Sequence, residues 1–403
     1  MPDFLIGERI FGNGDPALQR ALADIYASKT RPLCMCCQPG VPMYLARVAQ
    51  QYVIKRMPDS GLSHAPSCES YEPPAELSGL GEVLGHAIIQ DHEHGTTLLK
   101  LDFSLSKSSG RAAPVASEVP ADSVKSDGAK LTLLSVLHFL WVEAGLNRWT
   151  PKMLDRRNWF VIYKFLLEAA QGKVIKGQAL ESILYVPEPF YPDRKDHIAQ
   201  KRNSHLGSLR PQEKGARKLM ILVAEVKELC PARYGFKLLV KQAPDFPLML
   251  DQDVYQRLNR RFEDELALWE ATEGSHLMTI ATFSVGTSGV ASIEEIALMI
   301  TTENWITFAD LQEKALINIL TEQSRRFVKG MRYNLSPTRP LASLVLTDTQ
   351  PTPTGMYIVP AGANDQFQHA VEELAQASSY ANWIWNASGQ AMPTIPSSTQ
   401  STR

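Results

Sequence analysis

Four residues near the N-terminus have side chains that bind transition metals, and they come in two close pairs. Cys34 and Cys36 are separated by one residue, His64 and Cys68 by three, and twenty-seven residues lie between the pairs. Three thiols and one imidazole supply the four ligands that zinc takes in a tetrahedral site. Because these ligands fill every position, none remains for a reactive water. The pattern therefore predicts one structural Zn²⁺ site.

The second ligand of the first pair is either Cys36 or Cys37. Cys37 follows Cys34 by three residues, so these two would form the more usual Cys-x-x-Cys pair. The alternative interpretation is a set of unrelated thiols near a surface histidine. The fifth cysteine, Cys230, is distant in the sequence. An odd number of cysteines without a secretion signal argues against a disulfide framework.

The composition indicates a folded, soluble protein. Hydrophobic residues make up 44% of the 403 residues, charged residues 21%, and the net charge is −2, so no overall basic character points to nucleic acid or an anionic membrane. The N-terminus lacks a basic start followed by a long apolar stretch. The most apolar helical segment, 131–146, is shorter than the roughly 20 residues that cross a bilayer. We therefore expect a cytoplasmic protein without a membrane partner.

The elements around the metal ligands are predicted to form a small β module. Two extended runs, 43–48 and 51–57, read as a hairpin that turns at 49–50, and a short strand over 4–11 precedes a helix over 16–28. We expect residues 1–103 to form a zinc-stabilised domain built on this hairpin.

The rest of the chain predicts an α+β or mixed α/β fold in further units. Residues 104–130, rich in Ser, Ala and Pro, read as a linker or long loop. The units that follow are a helical domain at 131–215, an α/β region at 216–308, a C-terminal α/β domain at 309–396 and a flexible tail at 397–403. Their predicted helices cover 131–144, 152–170, 253–272, 309–329 and 365–377, and their predicted strands cover 219–226, 236–240, 277–283, 341–346 and 356–359.

The order of elements in 309–396 is similar to a branch of the PD-(D/E)xK nuclease fold. Such nucleases hold a divalent cation with a helix glutamate, an aspartate on the second strand and a Glu-x-Lys pair on the third. Here Glu313 matches the helix residue, but Ser343 on the second strand and Met356 or Tyr357 on the third stand where carboxylates are required. Asp348 falls at a turn. Since Mg²⁺ needs carboxylate oxygens, the resemblance implies a degenerate nuclease fold.

A second carboxylate–lysine pair lies elsewhere. Glu225 and Lys227 end a predicted strand at a spacing that places both side chains on one face. No aspartate stands on a clear preceding strand, so a charged strand end facing water is the competing interpretation.

A basic stripe runs from the last turn of the helix predicted at 309–329 to residue 339. It contains no acid, it is interleaved with Phe327 and Tyr333, and its members are Arg325, Arg326, Lys329, Arg332 and Arg339. Cations and aromatic rings in this arrangement suit a nucleic-acid backbone and its bases. The alternative is a solvated helix C-terminus whose cations complement the helix dipole.

Several longer motifs resemble an uncharacterised bacterial family catalogued as domain of unknown function 1173. They are Cys34-x-Cys36, Val41-Pro-Met-Tyr-Leu-Ala-Arg47, His64-Ala-Pro-x-Cys68, Leu146-Asn-Arg-Trp149, Pro187-Glu-Pro-Phe190, Arg325-Arg-Phe-Val-Lys-Gly330 and Arg332-Tyr-Asn334. The family pattern begins with Cys-x-Cys, which implies that Cys34 and Cys36 are ligands and Cys37 is extra. Members are usually encoded on plasmids and integrative conjugative elements.

Two functions are therefore in competition. The first is a non-catalytic zinc-binding protein of a bacterial mobile genetic element, associated with nucleic acid or with other proteins in a conjugation or maintenance complex. The alternative is a metal-dependent nuclease with a PD-(D/E)xK-like site. The filled zinc site and the missing strand carboxylates favour the first.

Overall fold

The structure is a computed structural model that describes residues 3–12, 14–26, 28, 30–48, 51–57, 59–91, 95–107, 128–209 and 216–398. Its helices and several β-sheets make a mixed α/β protein, as predicted. Most of the predicted linker and tail, and the hairpin turn at 49–50, lie outside the described residues. In the described part of the chain, no helix is both long and apolar enough to cross a membrane.

The N-terminal part is a five-stranded antiparallel sheet in the order β2-β1-β3-β4-β5. The predicted hairpin is confirmed, with Met43 opposite Arg56 and Val48 opposite Gln51. The strand predicted over 4–11 is wrong, because Gly7, at φ 62°, turns the chain into two paired strands. The elements are β1 Phe4–Ile6, β2 Arg9–Phe11, α1 Leu18–Tyr26, β3 Leu33–Cys34, β4 Val41–Val48 and β5 Gln51–Arg56.

A second sheet, in the order β11-β10-β7-β6, joins the N-terminal half to the helical region. Strand β7 pairs with β10 in parallel, so the domain boundary predicted at residue 103 falls between two strands of one sheet. The elements are α2 Leu80–Val83, β6 Ile88–Asp91, β7 Thr96–Leu99, β8 Ser106–Lys107, α3 Leu133–Glu143, β9 Arg148–Trp149, α4 Trp159–Ala170, β10 Lys173–Ile175, β11 Gln178–Ala179, α5 Leu180–Ile183, β12 Leu184–Tyr185 and α6 Lys195–His205.

The next region is a closed β-barrel, which the sequence did not predict. Strand β14 pairs with β17 along its first half and with β15 along its second, β15 pairs with β16, β16 runs parallel to β18, and β18 returns to β17. The elements are β13 Arg217–Lys218, β14 Met220–Pro231, β15 Phe236–Val240, β16 Ala243–Leu250, α7 Gln252–Arg261, α8 Glu263–Ala271, β17 His276–Val285 and β18 Ala291–Thr301.

The connectivity of the barrel is that of an OB-fold. Its five strands follow the circular order first, second, third, fifth, fourth and back to the first, and helices connect the third strand to the fourth. A β-bulge between Val226 and Glu228 lets the long first strand bend from one neighbour to the other. Helix α7 packs its buried Val254 and Leu258 against the barrel core.

The C-terminal region has the order helix, three strands, helix, strand. Strands β19, β20 and β21 form an antiparallel meander, helix α10 crosses over, and β22 pairs in parallel with β21, while β9 completes the other edge. The elements are α9 Leu311–Glu322, β19 Phe327–Lys329, β20 Leu344–Leu346, β21 Thr354–Val359, α10 Asp365–Ala377 and β22 Ala381–Asn386.

The helix predicted over 309–329 is wrong in its second half. Helix α9 ends at Glu322, Ser324 adopts a positive φ of 55°, and the chain becomes strand β19. Phe327 and Val328 are both buried because β19 lies between β20 and β9. Burial of successive residues suits a covered strand better than an amphipathic helix.

The segment after the metal-ligand region is fastened to the C-terminal region by its backbone. The amide of Gly79 donates to Met331 O at 2.9 Å, and the amide of Ala342 donates to Leu77 O at 2.8 Å. A Cβ added at Gly79 would lie 1.7 Å from Arg332 O. Only glycine at position 79 allows the two backbone segments to approach so closely.

We therefore expect Gly79→Ala to lower the free energy of unfolding by about 2 kcal/mol or more, because backbone must move to admit the methyl group. Urea denaturation followed by circular dichroism measures this. Gly207→Ala is the control, because its Cβ would meet no atom within 4 Å. Equal stability of the two variants would contradict the close approach.

Candidate metal centre

The first pair of candidate ligands is held by the end of β3 and the turn that follows it. Cys34 is paired with Phe4 of β1 on one side and Val41 of β4 on the other, so its backbone is fixed in the sheet and its thiol is buried. Cys36 lies in the turn between β3 and β4. Its sulfur accepts a hydrogen bond from the amide of Ala65 at 3.5 Å, which ties this turn to the second pair.

The second pair lies in a compact segment after a short 3₁₀ helix, Gly61–Ser63. His64 follows this helix directly, and its side chain is buried. The amide of Cys68 donates to Ala65 O at 2.8 Å, which closes the turn between the two ligands. The sulfur of Cys68 accepts from the amide of Ser70 at 3.4 Å. Each ligand pair therefore belongs to one local turn.

The structure brings the four side chains into one group. The ligand atoms of Cys34, Cys36, His64 and Cys68 all lie within 4.8 Å of one another. The separations are 3.7 Å between Cys34 Sγ and Cys68 Sγ, 3.4 Å between Cys36 Sγ and His64 Nδ1, and 3.7 Å between Cys68 Sγ and His64 Nδ1. The predicted residues thus form a candidate metal site.

These separations fit a tetrahedral zinc ion. With Zn–S near 2.3 Å and Zn–N near 2.0 Å, the edges of a tetrahedron are about 3.8 Å between sulfurs and about 3.5 Å between sulfur and nitrogen. The measured distances are close to these values. The donors are sulfur and nitrogen only, which suits zinc rather than Mg²⁺ or Ca²⁺.

Cys37 lies outside this group. Its sulfur is 3.3 Å from Ser63 O and 3.7 Å from Pro39 O, so the thiol is directed toward backbone carbonyls. Cys37 is not among the side chains whose ligand atoms all lie within 4.8 Å of one another. This placement agrees with Cys36, and not Cys37, as the partner of Cys34.

The titration of the four groups follows their burial and their hydrogen bonds. Burial raises the pKa of Cys34 and of Cys68. Burial also acts to raise the pKa of Cys36, but hydrogen bonds from the Ala65 amide and the neighbouring thiols outweigh it and lower that pKa. Burial, with Arg56 and Arg148 nearby, lowers the pKa of His64 to about 4, so the imidazole is neutral at pH 7 and able to bind a metal.

Cationic side chains lie beside the group, and the sequence did not single them out. Arg56 and Arg148 both act electrostatically on His64, and Arg148 also acts on Cys68. Arg56 pairs with Glu72 at 2.6 Å. Arg148 belongs to β9, an edge strand of the C-terminal sheet, so this sheet borders the candidate metal site. The hydroxyls of Tyr71 and Tyr380 form a further contact across the same boundary.

Two residues of the predicted basic stripe are buried in ion pairs. Lys329 Nζ lies 3.0 Å from Glu313 Oε1, and both side chains are 6% exposed. Arg325 forms two hydrogen bonds to Asp348, at 3.0 and 2.8 Å, and a third to Pro396 O. Their charges are therefore directed into the protein, which differs from the exposed stripe expected from the sequence.

The other members of the stripe are nearer the surface. Arg326 is half-buried, and its amide donates to Asp348. Arg332 donates to Ser336 O and Arg339 O, and the exposed Arg339 pairs with Glu82. Nucleic-acid binding by these side chains stays a prediction.

The carboxylates weighed for a nuclease site are each held by cations. Glu313 is paired with Lys329 and accepts from the amide of Ala309, and Asp348 is paired with Arg325. Ser343 precedes β20 and Met356 lies buried in β21. The described carboxylates of this region are therefore not gathered around an open metal site.

Glu225 is also fully engaged. Its carboxylate accepts from Lys241 at 2.6 Å, His276 at 2.6 Å and Gln242 at 3.1 Å, whereas Lys227 is exposed after it on β14. Burial acts to raise the pKa of Glu225, but the hydrogen bonds from His276 and Lys241 outweigh it and lower that pKa. Glu225 thus links the barrel strands as an ionised side chain.

Comparison with known proteins assigns the chain to a family from its sequence. A family model described as a protein of unknown function (DUF1173) matches residues 4–388, which is nearly the whole chain. No curated protein and no solved structure matches it.

We expect the purified protein to carry one zinc per chain, and Cys68→Ser to abolish that metal because a tetrahedral site loses a buried ligand. Cys37→Ser is the matched control and should keep the zinc. Inductively coupled plasma mass spectrometry measures both. Zinc loss in Cys37→Ser equal to that in Cys68→Ser would show that the ligand set is wrong.

The lowered pKa of Glu225 predicts a pH-dependent contribution to stability. This contribution is complete above the unfolded pKa of about 4.3, and it is lost as the pH falls through the lower folded value. Glu225→Gln should therefore cost about 1–3 kcal/mol at pH 7. It should also weaken the dependence of the urea midpoint on pH between about 5 and 3. The exposed Glu228→Gln is the control, and an unchanged profile in Glu225→Gln would refute this role.

Proposed function

We propose that this chain, which belongs to the DUF1173 family of proteins of unknown function, is a non-catalytic zinc-binding protein that works in association with nucleic acid or a protein complex. The observation that carries the proposal is the group formed by Cys34, Cys36, His64 and Cys68. Its four ligand atoms lie within 4.8 Å of one another, and three of their separations are close to the edges of a zinc tetrahedron.

The role of the zinc is structural. The four ligands come from the end of β3, the turn after it and the segment 64–68, which has no strand pairing of its own. A bound zinc would tie these segments together, and structural zinc sites contribute on the order of 10 kcal/mol to folding. With four protein ligands, no position is left for a substrate or water.

The charge of the filled site suits its surroundings. A divalent ion with three thiolates and a neutral imidazole carries a net charge of −1, and Arg56 and Arg148 lie beside it. Because Arg148 belongs to the edge of the C-terminal sheet, its attraction to the filled site supports docking of the N-terminal sheet on that region.

The ion pairs of the C-terminal region argue against catalysis. A nuclease metal needs carboxylate oxygens that are free to bind it. Glu313 is neutralised by Lys329 and Asp348 by Arg325, and each of these four side chains is at least 94% buried. Replacing such a pair by a hydrated metal would leave a buried cation without a partner, which is strongly unfavourable.

The cellular setting of the proposal comes from the motifs and the thiols. The motifs resemble proteins encoded on plasmids and integrative conjugative elements, so we place the protein in the maintenance or transfer of such an element. All five cysteines are free, which suits the reducing bacterial cytoplasm.

A metal-dependent nuclease is the second candidate. The order of α9, β19, β20, β21, α10 and β22 supports it, because helix, three strands, helix and strand is the order expected for a PD-(D/E)xK core. Substitution of the candidate catalytic carboxylates, Glu313 and Asp348, distinguishes the nuclease from the non-catalytic protein.

We expect no cleavage of supercoiled or linear plasmid DNA by the zinc-loaded protein in 5–10 mM Mg²⁺ or Mn²⁺ (about the range used for such nucleases). Agarose electrophoresis measures this. Cleavage that disappears in Glu313→Gln or Asp348→Asn, while the folded state persists by circular dichroism, would establish the nuclease instead.

A further inference from the structure

The loop between β14 and β15 presents an aromatic side chain and a cation at the rim of the barrel. It is a tight turn, residues 232–235, closed by the amide of Ala232 donating to Gly235 O at 3.0 Å. Tyr234 at its tip is 77% exposed, more than any other large hydrophobic residue among those described. The guanidinium of Arg233 lies over its ring at 5.3 Å.

The base of this loop is rigid. Phe236, the first residue of β15, stacks on Tyr255 of α7 with ring centroids 3.3 Å apart and planes 8° apart. Gly235 has a φ of 75°, and a Cβ there would lie 2.4 Å from Leu250 O, so the turn is pressed against the end of β16. The exposed tyrosine is therefore held on a fixed hairpin.

The sequence of the same hairpin has more cations than acids. Between residues 227 and 241 the cations are Lys227, Arg233, Lys237 and Lys241, and the one acid is Glu228. Lys241 is engaged by Glu225, but Lys227 and Arg233 are exposed and Lys237 is half-buried. Lys237 lies next to the tip, opposite Cys230 on β14 and Met249 on β16. The three cations thus lie along the hairpin at increasing sequence distance from Tyr234, in the order Arg233, Lys237 and Lys227.

We infer that the barrel binds single-stranded nucleic acid along this hairpin, with Tyr234 stacking on a base and Arg233, Lys237 and Lys227 contacting phosphates. An exposed ring on a rigid turn can stack only on a base that is not already stacked in a duplex, which selects single strands. Cations spaced along the strand suit a polyanion and not a neutral saccharide.

The position on the barrel agrees with this ligand. In OB-fold barrels, the second and third strands and the loop between the first and second form the surface that binds oligonucleotides or oligosaccharides. Because fold alone does not assign function, the inference depends on the tyrosine and the cations. It also rests on the nucleic-acid association proposed above, and it places that association on the barrel and not on the buried stripe.

Fluorescence anisotropy with labelled dT15, rU15 and a 15-base-pair duplex tests the inference on the 403-residue chain with zinc bound. We expect dT15 or rU15 to bind more tightly than the duplex. Tyr234→Ala should weaken that binding by about 5- to 100-fold, as expected for loss of one stacked base. Tyr234→Phe should bind within about threefold of the wild type, because the ring remains.

Tyr191→Ala is the matched control. Tyr191 is also exposed, at 49%, and also lies near an arginine, Arg194, but it is on another element. This variant should bind like the wild type. The double variant Arg233→Ala/Lys237→Ala should flatten the dependence of log K on log salt by about 1.4, for two lost phosphate contacts on a single strand.

The outcomes distinguish an error in the proposed binding surface from an error in the proposed function. If the wild type binds strands but Tyr234→Ala binds as tightly as Tyr191→Ala, the surface is wrong and the nucleic-acid association stands. If no strand or duplex binds at low salt, the surface and the nucleic-acid association are both overturned, and only the association with a protein complex is left of the proposed function. Tighter binding to the duplex, unaffected by Tyr234→Ala, also overturns this inference.

Discussion

A buried charge must have a partner, and this constraint decides what the C-terminal region can do. Arg325 with Asp348 and Lys329 with Glu313 are two ion pairs whose side chains are almost fully buried. The pair of Lys329 with Glu313 connects β19 to α9, and the pair of Arg325 with Asp348 connects the segment before β19 to the turn after β20. The side chains that suggested a phosphate-binding stripe and a divalent-cation site satisfy one another. The same two ion pairs therefore take Arg325 and Lys329 from the predicted nucleic-acid surface and Glu313 and Asp348 from the predicted nuclease site.

The metal centre depends on the surrounding structure in a different way. Its ligands come from two turns that are far apart in the sequence, and the Ala65 amide already joins them through the sulfur of Cys36. The segment that follows Cys68 continues through Tyr71 to Gly79 and is fastened to the C-terminal region. A contact that fixes Cys68 in place therefore also fixes the start of the segment that runs from Cys68 to Gly79. A structural metal bound at this point would stabilise the contact between the two regions as well as the local turns.

The barrel gives the protein a surface that is separate from both of these regions. Its strands close around an apolar core, and α7 supports the β14–β15 hairpin through the stack of Tyr255 on Phe236. Glu225 holds the opposite half of β14 through Lys241 and His276. The stack of Phe236 on Tyr255 therefore holds the base of the tip that carries Arg233 and Tyr234, and Glu225 holds the other end of the hairpin. A rigid tip is able to bind a flexible strand without first being ordered itself.

The sequence alone determined the features that depend on local chemistry. The candidate ligand group followed from residue types and spacing, with Cys36 favoured over Cys37 by the family resemblance, and the hairpin followed from the two extended runs 43–48 and 51–57. Strand β15 and helix α10 also lie at the predicted positions, because their patterns are strong and their ends are marked by turn residues or caps. The barrel was missed because β16 contains Pro244 and Pro247, and because no strand was recognised over β18, whose pairing with β16 and β17 is long-range. Only the tertiary structure decided that Arg325 and Lys329 are directed inward and Arg233 and Tyr234 outward, because the side of an element that is buried depends on what packs against it.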